Sequence, residues 1–138
     1  MIRHLFAVLL ILISTYSKAS DIKAGSYQLE TRMLLPHLEE MRRTINTEII
    51  CIKKDDVKAL FPILKQPGMV DCLLRKENST DHETHYILEC PGKNAAKGAA
   101  VLKMTKQGIN AEMNAKMGGK NMTFSKFSNA VRLGACSN

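Results

Sequence analysis

Ile109-Asn110-Ala111-Glu112-Met113-Asn114-Ala115-Lys116-Met117 is the run that decides the fold. Ile109, Ala111, Met113, Ala115 and Met117 alternate without a break against Asn110, Glu112, Asn114 and Lys116. A period of two sends those two sets to opposite faces of an extended chain, whereas a helix would scatter them around its axis. One wet face and one buried face is the pattern of antiparallel strands.

The same period extends outward in both directions. Tyr27, Leu29, Thr31, Met33 and Leu35 alternate with Gln28, Glu30 and Arg32. Ile45, Thr47, Ile49 and Cys51 alternate with Asn46 and Glu48, and Thr84, Tyr86, Leu88 and Cys90 face away from His85, Ile87 and Glu89. Turn chemistry separates the runs at Pro91-Gly92, Lys106-Gln107-Gly108 and Gly118-Gly119. Seven strands are predicted, near 25–35, 43–52, 71–78, 83–90, 97–106, 109–117 and 121–133. Helical signal is confined to two stretches. Pro36–Arg43 reads as a single turn or a loop, and 55–61 reads as one short helix that Pro62 ends. The expectation is a mostly β domain, an antiparallel meander closed into a small barrel or curled into a half-barrel. A flat sheet would leave long edges open to other chains.

At 138 residues, 45% hydrophobic and 24% charged, the chain has the length and composition of one globular domain. Its first 19 residues read as a signal peptide. Arg3 gives a positive start, Leu5–Ile13 is unbrokenly apolar, and Ser17-Lys18-Ala19 supplies the small residues of a cleavage site. The apolar run is about half the roughly 20 residues that span a bilayer, so export without a stable membrane anchor is expected. The domain then comprises residues 20–138, in the periplasm or secreted. Losing Arg3 and Lys18 lowers the net charge from +7 to +5. That charge is dispersed, with no Lys/Arg run longer than the pairs Arg42-Arg43 and Lys53-Lys54 and no interleaved aromatics, which excludes a nucleic-acid partner.

All four cysteines, Cys51, Cys72, Cys90 and Cys136, fall in the exported part and read as two disulfides. The closest two are 18 residues apart, so no Cys/His metal spacing exists. Cys72 and Cys90 are equidistant from Asp81 in the polar stretch Asn78–Asp81, so a hairpin turning there sets them opposite each other. That favours Cys72 with Cys90 and Cys51 with Cys136. The pairing Cys51 with Cys72 and Cys90 with Cys136 stays open.

Gly25-Ser26-Tyr27 opens the first strand, and Cys51 closes the second before Asp55-Asp56. Cys72, Cys90-Pro91-Gly92, Gly118-Gly119 and Arg132-Leu133-Gly134-Ala135-Cys136 follow in order. This arrangement resembles a family of secreted bacterial proteins known as domain of unknown function 3617, over almost the whole exported chain. The resemblance implies a periplasmic, disulfide-bonded, mostly β domain of a Gram-negative bacterium, and brings no accepted activity and no site residues. Similar proteins often carry a Met/Pro/Gly-rich first loop. Here Pro36–Arg43 is charged.

No nucleophile elbow, zinc-protease helix, P-loop or dinucleotide fingerprint is present. Asp81-His82-Glu83-Thr84-His85 is rich in metal ligands, but a strand sends His82 and His85 to opposite faces, so no metal site or cofactor is expected. Met104, Met113, Met117 and Met122 crowd the last third, and with Tyr86 they could line a soft apolar cavity for a lipid. The expected function is therefore a non-enzymatic binding module, its ligand either a small apolar molecule inside the sheet or a partner surface at the loops Pro36–Arg43 and Pro91–Lys97. The alternative is an envelope-protein interaction or a hydrolase-inhibitor role.

Overall fold

The computed structural model describes residues 21–35, 44–93, 95–119 and 122–137. The leader at 1–19 and the Pro36–Arg43 segment, with the helical turn considered there, lie outside the described residues. Seven strands form one antiparallel sheet: β1 Gly25–Leu34, β2 Asn46–Ile52, β3 Leu73–Ser79, β4 Glu83–Glu89, β5 Lys97–Met104, β6 Ile109–Met117 and β7 Met122–Gly134. Their spatial order is β2-β1-β7-β6-β5-β4-β3. Strands β3 to β7 are the expected meander, and the β1–β2 hairpin joins it at the far end by pairing β1 with β7. β2 and β3 do not pair with each other, so the sheet is open, a half-barrel rather than a closed barrel.

The inner face carries Tyr27, Leu29, Leu88, Leu102, Ile109 and Met113, all buried. Small residues run between them at Gly98, Ala100, Ala111, Ala115 and Ala130, and this leaves room above the sheet. The chain fills that room itself. Because β2 and β3 lie at opposite edges, the segment joining them crosses the face, and its Leu60, Phe61, Ile63 and Leu64 are buried in the same cluster as the sheet residues. Instead of one helix over 55–61, this segment makes two short 3₁₀ turns, Val57–Leu60 and Pro62–Lys65. Pro62 is the reason: it cannot donate to a continuing helix, and its ring drives Phe61 out of helical conformation, to φ −126° and ψ 80°.

Strand β2 departs from the alternation anticipated for it. Ile52 is fully buried, while Ile49 and Ile45 stand 70% and 60% exposed. The register Gly25↔Ile52 and Tyr27↔Ile50 sets Ile50 and Ile52 on the inner face and turns Cys51 outward, toward its disulfide. An apolar tetrad (Ile49-Ile50-Cys51-Ile52) satisfies either parity, so the pairing with β1 decides.

The disulfides join Cys51 to Cys136 and Cys72 to Cys90, with Cα separations of 5.5 and 4.1 Å. Cys72 and Cys90 flank the Leu73↔Glu89 pair as a direct cross-strand bridge between β3 and β4. Cys51–Cys136 ties the edge strand β2 to the chain end just beyond β7, across the start of β1.

The terminal motif Arg132-x-Gly134-x-Cys136 belongs to the same clasp. The Arg132 guanidinium donates to the Ala24 carbonyl from Nε at 3.3 Å and from Nη2 at 3.0 Å, and the Tyr27 hydroxyl donates to the Lys23 carbonyl at 2.8 Å. Gly25 permits the approach, since a Cβ there would stand 2.5 Å from the Gly134 carbonyl oxygen and 2.7 Å from Arg132 Nε. Gly98 plays the corresponding part between β5 and β6, where any Cβ would run into the Asn114 carbonyl. The short sequence signals around Gly25 and Arg132 are therefore explained by chain-end packing.

Candidate functional site

The outer face of the sheet carries a groove of about 360 Å³ across β1, β7, β6 and β5. Two rows of side chains build it. Register pairs Glu30 with Asn129, Asn129 with Asn110, and Asn110 with Lys103, so these four stand side by side on neighbouring strands. Two residues further along the strands, Arg32 pairs with Phe127, Phe127 with Glu112, and Glu112 with Val101. Neighbouring strands lie about 4.8 Å apart, so each row spans roughly 14 Å. Phe127 and Val101 supply the apolar floor and Ile45 closes one side.

Arg32 is held by the groove's own floor, and Glu112 and Lys103 by neighbours outside it. Arg32 lies over the Phe127 ring, 5.2 Å from its centroid, a geometry attractive by the ring quadrupole. Ser125 donates to Asn114 at 2.5 Å, and Asn114 donates in turn to Glu112 at 2.9 Å. Lys103 lies 3.6 Å from Glu83, whose other oxygen meets His85 Nε2 at 2.5 Å. Asn110 and Asn129, directly opposite each other, make no side-chain hydrogen bond among the described residues, so both amides present their full donor and acceptor capacity to the groove. The arrangement can bind. Among the described residues no cluster of His, Cys, Asp or Glu could hold a metal ion.

The sequence-nominated ligand residues are elsewhere. Met113 is fully buried in the core, and Met104 and Tyr86 are half-buried against it. Burial pushes the Tyr86 hydroxyl pKa up, and the nearby Asp55 charge adds to the shift. Met117 and Met122 pair across the β6–β7 hairpin end and stand 36% and 51% exposed. None of these five lines the groove. Of the loop nominated beside them, only 91–93 and 95–97 are described, and they lie at the turn between β4 and β5.

What the residue-by-residue reading missed is the inversion in β7. Lys126 points inward, only 8% exposed, between Met33 and Met113, and Phe127 points outward. Simple alternation of polarity would assign the reverse. Phe124, Ser128 and Ala130 fix the parity from both sides, so an aromatic is delivered to the wet face and a lysine to the dry one. Such a double violation of local rules in adjacent residues is the kind of signal that marks a functional surface. Ser128, next on the inner face, has a buried hydroxyl with no partner among the described residues.

Lys126 makes its own prediction. Desolvation lowers its pKa from the usual lysine value, and the Glu48 charge opposes this only in part. A lysine with a depressed folded-state pKa is free of penalty only above its unfolded value, and stability is lost as pH falls through the folded value. Lys126→Met is therefore expected to raise stability at pH 7, with the electrostatic part of the gain fading as pH rises into the ordinary lysine range. Urea titrations of both proteins at pH 7 and pH 10.5 check it. A less stable variant at pH 7 would show the lysine to be favourably paired.

Residues 22–136 match a family described as "Protein of unknown function (DUF3617)". The chain belongs to the DUF3617 family. The match begins at Ile22, whose backbone bonds to Asp55 in both directions, and ends at Cys136 of the terminal disulfide. The DUF3617 match thus coincides with the clasped domain. No curated protein and no solved structure matches the chain. Among the described residues of this DUF3617 protein, no helix is long and apolar enough to cross a membrane.

Proposed function

We propose that this DUF3617 domain is an exported, non-enzymatic binding module whose ligand lies across the wet face of the sheet, in the groove floored by Phe127. The observation that carries this reading is the outward Phe127, set among outward-facing charged and amide side chains on a face that contributes nothing to the core. Wall residues already braced, Arg32 by the floor and Glu112 and Lys103 by outside neighbours, lower the ordering cost of binding. Two disulfides and the leader-like first 19 residues support a periplasmic or secreted location. An apolar ligand on the methionine face would have to displace Phe61 and its neighbours, which already fill it.

Amide NMR spectra of the domain from residue 20, recorded against a panel of oligosaccharides, dipeptides and fatty acids, test the reading. Perturbations are expected to cluster at 101–103, 110–112 and 127–129. Phe127→Ala is expected to weaken that binding at least tenfold while leaving the thermal midpoint nearly unchanged, because the ring lies on the solvent face. Perturbations centred on Met113 and Tyr86 by a fatty acid would replace the groove with the apolar-ligand reading.

A further inference from the structure

The charge pattern of the groove selects a ligand class. At one end Glu30 and Arg32 are two residues apart on the same face of β1. At the other end Lys103 is the diagonal neighbour of Glu112 across β5 and β6, since Lys103 pairs with Asn110 and Val101 with Glu112. Each end therefore holds one acid beside one base. Neither end presents a net sign, and the groove as a whole is formally neutral. A ligand carrying a single net charge would meet repulsion as well as attraction at either end and would lose hydration on entry.

Between the ends stand Asn110 and Asn129, two planar amides that donate and accept, with no internal partner among the described residues. Carboxylates, amides and a guanidinium at strand spacing match neighbouring hydroxyl groups, each of which also donates and accepts. Phe127 and Val101 beneath them offer an apolar surface to the C–H face of a ring. The roughly 14 Å span of four strands accommodates about three linked rings rather than a single small molecule. Building on the groove as the binding site, we infer that its ligand is a neutral, polyhydroxylated chain: an oligosaccharide of about three units.

The test uses the domain from residue 20 with chitotriose, maltotriose and the dipeptide alanyl-alanine as probes, by calorimetry and amide NMR at 50 and 300 mM NaCl. A trisaccharide is expected to perturb the amides of 110–112 and 127–129, with an affinity changing less than twofold between the two salt concentrations. Asn110→Ala and Asn129→Ala are each expected to weaken it about tenfold, with unchanged thermal midpoints. Groove perturbation by the dipeptide alone, with affinity falling as salt rises, overturns the saccharide inference and leaves the groove standing as a binding site. Silence of the groove toward both trisaccharides also overturns the inference, and silence toward the whole wider panel removes the groove reading with it.

Discussion

Phe61→Ala is expected to lower the stability of the domain by about 3–5 kcal/mol, the cost of deleting a fully buried aromatic side chain. Phe61 is wholly inaccessible and is the largest of the fully buried side chains. It shares one buried cluster with the small residues Ala100, Ala111 and Ala130 of the sheet, which leave room above it. Total stabilities of small domains are about 5–15 kcal/mol, so a fifth or more would go with this one ring. A urea titration followed by circular dichroism measures the loss. A cost below about 1 kcal/mol would mean that the 3₁₀ segment is not the plug of the half-barrel. The variant carries a second readout, because a cavity opened there lies in the apolar cluster that includes Met113 and Leu88 and would take up an apolar dye. Dye uptake by Phe61→Ala but not by the parent protein is the expected result.

The second large effect concerns the chain ends. Replacing Cys51 and Cys136 together by Ser is expected to cost about 4.6 kcal/mol, the chain-entropy value for a closed loop of 85 residues. The structure adds a local reason. β2 is an edge strand whose ladder partner among the described residues is β1, and most of its residues are exposed. Without the bridge, β2 keeps its ladder to β1, while the chain end is anchored through β7 and the Arg132 bonds to Ala24 just before Gly134. The thermal midpoint should fall by more than about 10 °C, and hydrogen exchange should accelerate first in 46–52. Uniform acceleration over the whole sheet would show instead that the bridge acts only by constraining the unfolded chain. Both disulfide-linked peptides, Cys51 with Cys136 and Cys72 with Cys90, should appear in a non-reducing digest.

Much of this architecture was legible from residue patterning. Strict alternation at 109–117 and 83–90 fixed β6 and β4, because half-buried strands impose a period of two on any sequence that folds into them. The favoured cysteine pairing followed from a hairpin centred near Asp81, and the structure turns there, with the Thr80 hydroxyl and backbone both engaged by Glu83. Legibility failed wherever one strand could satisfy two parities. In β2 the Ile49–Ile52 run is apolar in both directions, and in β7 Lys126 and Phe127 exchange the faces their polarity suggests. The helix read over 55–61 became two 3₁₀ turns for a local reason that Pro62 announced and a tertiary one it did not, the need to lay four apolar side chains on the sheet.

The candidate groove was the least legible feature. Glu30, Lys103, Asn110 and Asn129 are each ordinary solvent-facing residues when read along the chain, separated by up to 99 positions. Strand order alone makes them neighbours, since β1 could equally have paired elsewhere and left Glu30 and Arg32 at a bare edge. The sequence by itself determined the β class, the positions of the strands and the wet and dry sides of most of them, because those depend on local periodicity. Only the tertiary structure decided which strands touch, which way β2 and β7 face, and hence what the wet face can bind, because register and strand order are set by long-range pairing that no local pattern encodes.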